Sequence, residues 1–177
     1  MEKNSHIIRL KREIDGKILD IGGGGEGIIG RLYHEQVTAI DKCREELDEA
    51  PDGFTKIQMD AADLQFADSS FDHVTFFFTL MFMDAKEQEQ AVREAARVVK
   101  SGGCLYIWDC DIACAYPEPF CIDVEVQLPD EHISTTYGVG KLDTQNAASV
   151  QEICLKAGLT PREYSPQQDY FYMVFQK

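Results

Sequence analysis

DIGGGGEGIIG, residues 20 to 30, places six glycines in eleven positions directly after the short apolar run Lys17 to Leu19. A strand that passes into a helix through so much glycine leaves its backbone bare, because glycine has no Cβ and reaches positive φ at no steric cost. The rest of the chain repeats the alternation. Strands are expected at Lys17–Ile21, Gln36–Ile40, Phe54–Gln58, Phe71–Phe78, Cys104–Trp108, Leu159–Tyr164 and Tyr170–Phe175, with helices at Glu26–Tyr33, Lys42–Ala50, Ala85–Lys100 and Asn146–Ala157. FDHVTFFF, at 71 to 78, has no polar face, which suits a central parallel strand covered on both sides. In the helix of residues 85 to 100, Val92, Ala95, Ala96 and Val99 form the inward stripe, Lys100 complements the dipole, and Ser101-Gly102-Gly103 is the stop. Short connections and alternating elements predict a doubly wound, mainly parallel α/β sheet.

With 177 residues, the chain is long enough for one substantial core, and we read residues 1–177 as one domain. Residues 110–142 interrupt the rhythm. Pro117, Pro119 and Pro129 fall there, and Cys121–Leu128 and His132–Tyr137 flank a Pro129-Asp130 turn like a hairpin. This is an insertion after strand five, in the usual place for substrate-facing structure.

The formal charge of −14 opposes binding to nucleic acid and to anionic membrane. Arg9, Lys11 and Arg12 form the one short basic run, read as a solvated helix face. No apolar stretch reaches the roughly 20 residues of a spanning helix, and MEKNSHIIRLKRE lacks a signal-peptide core, so a cytoplasmic location is expected. The six cysteines contain no C-x-x-C pair and read as reduced thiols; Cys110, Cys114 and Cys121 are too irregularly spaced for a structural zinc site, and no metal is expected.

Acidic residues stand at three strand ends. Asp20 precedes the glycines, Asp41 ends the second strand 19 residues beyond Gly22, and Asp60 follows the third. Gly22-x-Gly24-x-x-Gly27 with Asp41 satisfies a dinucleotide fingerprint and leaves a nucleotide-dependent oxidoreductase open. Asp20 argues against a pyrophosphate, which it would repel, and for a cofactor with a cationic tail. Each acid also has a plainer reading as a turn or helix cap.

On these motifs the chain resembles class I S-adenosylmethionine-dependent methyltransferases, in the style of their small-molecule and quinone-biosynthesis branch. The resemblance covers about residues 14 to 109 and rests on LDIGGGGEG, AIDK, MDAADL, FADSSFDHVTFFFTLMFM and the terminal YFYMVF. It implies a doubly wound, mainly parallel seven-stranded sheet whose last strand, YFYMVF, is antiparallel, and S-adenosylmethionine as cofactor. Gly22, Gly23, Gly24, Gly25 and Gly27, with Asp20, would hold its methionine part; Asp41 would take the ribose hydroxyls, Lys42 would lie beside the adenine, Asp60 would bond the adenine amine with Ala61 against the ring, and Phe78 and Thr79 would border the methionine. Glu26 stands where the family pattern has its third glycine, so one loop glycine is surplus. Only about 16 residues precede the first strand, where relatives carry a helical lid; the pocket is then open, or completed by residues 110 to 142, a second copy of the chain or another partner.

The acceptor is expected to be a small molecule. If it must lose a proton, the base candidates are Asp109, Asp111, His132 and Tyr137, with Asp109 first because it ends the fifth strand; His73 reads as structural. A cofactor-binding partner protein without its own chemistry is the other alternative. Replacing Asp41 with Ala is expected to weaken S-adenosylmethionine binding at least tenfold, about 1.4 kcal/mol. Unchanged affinity in a folded Asp41→Ala protein, read by calorimetry, would contradict the assignment.

Overall fold

A computed structural model describes residues 5–177. Its elements are β1 His6–Arg9, β2 Ile18–Ile21, α1 Ile28–Tyr33, β3 Val37–Asp41, α2 Arg44–Glu49, β4 Thr55–Gln58, β5 Phe71–Phe77, α3 Ala85–Val98, β6 Val99–Cys110, β7 Phe120–Gln127, β8 His132–Val139, α4 Ala147–Lys156, β9 Thr160–Pro166 and β10 Tyr170–Gln176. The main sheet has seven strands in the order β4-β3-β2-β5-β6-β10-β9. Strands β2 to β6 run parallel, and β10 lies antiparallel between β6 and β9. The expected fold class is therefore observed.

Burial on both faces explains the long apolar runs. On one side Leu19, Ile21, Val74 and Phe76 pack against the Ala91, Val92 and Ala95 stripe of α3 and Val150 of α4. On the other, Ile18, Phe77, Phe78 and Trp108 meet Ile29 of α1 and Ile122 and Val124 of β7. Alternation of side chains along β2 and β5 sends successive residues to opposite cores. Because β2 is central, the chain winds outward through β3 and β4 and then returns to β5 on its other side. That reversal leaves a crevice at the carboxyl edge of the strands.

Three local expectations are corrected. The basic run near residue 10 is not a helix face: β1 pairs parallel with β7 and joins β8 in a separate three-stranded sheet. Arg12 is tied to Leu32 O at 2.8 Å and to Asp130 at 2.5 Å, so its charge anchors the hairpin turn. Next, α3 stops at Val98 rather than at the glycines. Val99, wholly buried, is extended and pairs with Phe71, and the pairing then jumps to His73 with Cys104, so residues 100–103 form a bulge inside β6. Lys100 bonds Asp72 at 2.9 Å there instead of complementing a helix end. Finally, β6 extends beyond Trp108 to Cys110.

The hairpin of β7 and β8 was legible, since its alternation survives as the buried positions Ile122, Val124 and Val126 of β7. Its roots are fixed to the main body by the Ile112–Gln145 bridge and by Lys141 Nζ, which donates to Met83 O at 2.7 Å. The hairpin thereby covers one side of the crevice. Among the described residues, no helix is long and apolar enough to cross a membrane.

Candidate active site

A cavity of about 420 Å³ opens at the carboxyl edge of the sheet, walled by the segments after β2, β3, β4 and β5 and by β8. Its size falls within the roughly 300–1,000 Å³ of small-molecule sites. The glycine loop forms its floor. Gly22 and Gly23 both donate their N–H to Ile40 O, at 2.9 and 3.0 Å, folding the loop against β3. Gly22 has φ +73°, and a Cβ there would collide with Thr79 Oγ1. A side chain is therefore excluded twice, by backbone conformation and by contact. Gly24 to Gly27 close a turn (3.3 Å), and Gly25, φ +63°, projects to α2 and donates to Glu46 O at 2.7 Å.

Twelve cofactor-binding residues were expected from sequence, and all of them line this cavity: Asp20, Gly22 to Gly25, Gly27, Asp41, Lys42, Asp60, Ala61, Phe78 and Thr79. Asp41 Oδ1 accepts from Cys43 N–H at 3.0 Å, while Oδ2 lies beside Gly24. Asp60 is exposed and Oδ1 accepts from Ala62 N–H at 2.9 Å. Lys42 pairs with Glu87 at 3.4 Å. Asp20 is only 2 % exposed; Oδ1 accepts from Thr75 Oγ1 at 2.7 Å, and Oδ2 lies next to Gly23. Burial pushes its pKa up to about 7; the Thr75 bond opposes this and Asp41 adds to it.

Phe78 is a non-glycine residue at φ +50°, at the end of β5. Such a conformation costs of order 1–3 kcal/mol and persists only when the surroundings impose it. Here Phe78 N–H donates to Trp108 O at 2.8 Å, and the ring stacks on Tyr137 with centroids 5.0 Å apart and planes 9° from parallel.

Asp109 does not reach the cavity. It is fully buried, and Cys110 N–H (2.8 Å), Gln145 Nε2 (2.7 Å) and Met81 N–H (3.3 Å) converge on it. Burial pushes its pKa up to about 6 against these bonds. Its place at the end of a parallel strand suggested a base, but the turn of residues 80–82 and Gln145 enclose it, so it fixes that turn instead. Asp111 likewise caps α4, accepting from Ala147 N–H at 2.9 Å. His132 is exposed and outside the cavity. His73 Nδ1 accepts from Cys104 N–H at 3.2 Å, a structural role. Tyr137 does line the cavity, but burial, then Glu26 and Asp20, raise its pKa, so it presents a ring and a protonated hydroxyl. Among the described residues the cysteines are all free, and no group of three or more His, Cys, Asp or Glu is placed to hold a metal.

Sequence reasoning missed Glu46, Met59, Phe82 and Met83, which complete the walls, and the cavity role of Glu26. Only Glu26 carried a signal, as the residue that breaks the glycine pattern.

A bare backbone cradle, a sealed carboxylate awaiting a cation, a strand-end acid with a free oxygen, and the apolar Met59 and Ala61 together fit an adenosine-bearing cationic cofactor. The fold and site define an α/β domain of that class. Comparisons identify which one. The methyltransferase-domain family profile matches residues 19–107. Methyltransferase GfsG of Streptomyces halstedii is 30% identical over 132 residues, 64% of this chain and 47% of that protein, so the chain spans about half the length of this curated relative. Two solved structures share the fold: a SAM-dependent methyltransferase from Methanosarcina mazei (TM-score 0.68, 19% identity, 92% of each chain) and SAM-bound CalS10, an amino pentose methyltransferase from Micromonospora echinaspora (TM-score 0.65, 14% identity, 94% of this chain and 85% of that one). The chain belongs to the methyltransferase-domain family.

Two predictions follow from the buried acids. Asp20 holds its proton more tightly folded than at its ordinary 3.8, so its contribution to cofactor-free stability is greatest in acid and declines as pH rises towards about 7. Binding of a cationic ligand has the opposite sign: it favours the carboxylate, so affinity should fall as pH drops below about 7, with proton release on binding. Calorimetry in buffers of different ionisation enthalpy should show that release near pH 6, and Asp20→Asn should abolish it; a wild-type affinity flat from pH 5.5 to 8 would refute this role. Replacing Asp109 with Ala should destabilise the protein by about 3 kcal/mol, since it strands buried donors. Urea unfolding within 1 kcal/mol of wild type would show that those donors find other partners.

Proposed function

We propose that this protein transfers the methyl group of S-adenosylmethionine to a small-molecule acceptor by in-line displacement. The observation that carries this reading is the enclosed Asp20 carboxylate beside a cradle with no side chains, in a cavity that also gathers Asp41 and Asp60. Gly22 to Gly25 and Gly27 would receive the methionine part, with Asp20 compensating its ammonium group. Asp41 Oδ2 is free to accept from ribose hydroxyls. Lys42, Asp60 and Ala61 would hold the adenine, and Phe78 and Thr79 would border the methionine. When bound, the cofactor supplies an electrophilic methyl group on a sulfonium. The chain supplies position, charge and exclusion of water, which account for most of the barrier reduction that such a reaction needs.

The cover favours catalysis over a purely binding role. Thr136, Tyr137 and Gly138 of β8 close the cavity from above, so the 110–142 segment supplies its cover. On this reading no partner subunit is needed to complete this wall. A nucleotide-dependent oxidoreductase is disfavoured, because the sealed Asp20 would repel a pyrophosphate on the same loop. The acidic balance and the ordinary distribution of cysteines support a cytoplasmic protein acting on a small molecule rather than on nucleic acid.

Calorimetric titration with S-adenosylmethionine, S-adenosylhomocysteine and NAD in parallel tests the reading. The first two should bind and NAD should not; NAD binding with both sulfur compounds silent would overturn it.

A further inference from the structure

One wall of the cavity reaches past the residues given to the cofactor, with Phe78 shared between the two. It consists of Phe77 and Phe78 at the end of β5, Tyr137 from β8 and Glu26 from the loop. The rings form a continuous surface: Phe77 meets Phe78 edge-on at 5.0 Å, Phe78 stacks on Tyr137, and Tyr170 backs Phe78 at 6.1 Å. Glu26 Oε1 accepts from Thr135 Oγ1. Among the described residues no other donor and no cation reaches this carboxylate: Arg31 Nε donates to the Glu26 backbone oxygen at 2.5 Å, and its guanidinium pairs with Glu131 at 3.1 Å. Lys42 is the one basic side chain lining the cavity, and it pairs with Glu87.

Aromatic faces beside an uncompensated carboxylate are the chemistry that recognises an organic ammonium. The same wall is poorly equipped for an alcohol or phenol. Removing a hydroxyl proton needs a positioned base, yet no histidine lines the cavity, Asp109 is walled off from it, and a carboxylate such as Glu26 is a weak base toward an alcohol. A neutral amine needs none in the transfer step: its lone pair forms the nitrogen–carbon bond, the carbon–sulfur bond breaks with its electrons remaining on sulfur, and the positive charge passes to nitrogen. The surplus proton leaves afterwards to water.

Resting on the methyl-transfer reading above, we propose that the acceptor is an amine, and that Glu26, with the ring of Tyr137, stabilises the ammonium charge that develops as the nitrogen takes the methyl group. Glu26 thus sets acceptor class, in a position where glycine would leave this wall neutral.

The test uses the full chain saturated with S-adenosylhomocysteine, with benzylamine, protonated at pH 7, and benzyl alcohol as probes of similar shape. Benzylamine should bind at least tenfold more tightly than benzyl alcohol. Glu26→Gln, which can still accept from Thr135, should bring the two within threefold while S-adenosylhomocysteine affinity stays within threefold of wild type. Thr135→Val, which removes the tie but not the charge, should keep the preference for the amine. Equal binding of the probes, no binding of either, or a preference that survives Glu26→Gln would overturn the amine assignment. Failure of S-adenosylhomocysteine itself to bind would instead remove the methyl-transfer reading, and this inference with it.

Discussion

A carboxylate sealed at the end of the central strand governs the rest of this site. Asp20 is held by Thr75 from the neighbouring strand and by little else, and burial pushes its pKa well above the ordinary carboxylate range while no cation is near. Such a group is costly in the empty protein and useful only when a positive charge arrives. On the reading proposed above, the glycine loop, the crevice left by the reversal of strand order, and the overlying hairpin would bring that charge to one place, where the ligand relieves an unfavourable interaction of the empty site.

The legible parts of the sequence are those in which the physical signal is local. Apolar runs punctuated by glycine gave the seven strands, and acids that end strands are placed by topology at one edge, so Asp20, Asp41 and Asp60 could be brought together before any coordinates. Asp109 obeys the same positional rule and fails it, because Met81 and Gln145, 28 and 36 residues away in sequence, enclose it. No local pattern announces such an enclosure. Tyr137 is similar: an alternating strand revealed its face, but not that Phe78 would take a positive φ and lie flat against it. The N-terminal strand was misread for a related reason, since four residues carry too little periodicity to separate strand from helix, and its partner lies 118 positions further on.

The hairpin covers the cavity by a different physical route from a helix. A helix satisfies its own backbone and can swing as a unit, whereas β7 and β8 satisfy theirs through each other and through β1. What ties this sheet to the loop and to α1 is polar: Thr135 to Glu26, Arg31 to Glu131, and Arg12 to Asp130 at the turn with Leu32 O. The apolar contacts lie underneath, against Phe77, Phe78 and Trp108. The cover is therefore greased below and pinned at its rim, with fixed roots at Ile112–Gln145 and at Lys141.

The parallel pairing of β1 with β7 also bears on how the protein is made. Residues 6–9 leave the ribosome long before residues 124–127, and the two hold no other strand in common until then. Ile7 and Ile8 must wait, exposed, through the synthesis of more than a hundred residues, while the crossover units of the main sheet already have neighbours. The cavity's cover is consequently the last part of the site to be assembled during translation, and the nascent chain carries a short apolar edge that shielding by a chaperone, or by its own collapsing core, would keep from other chains.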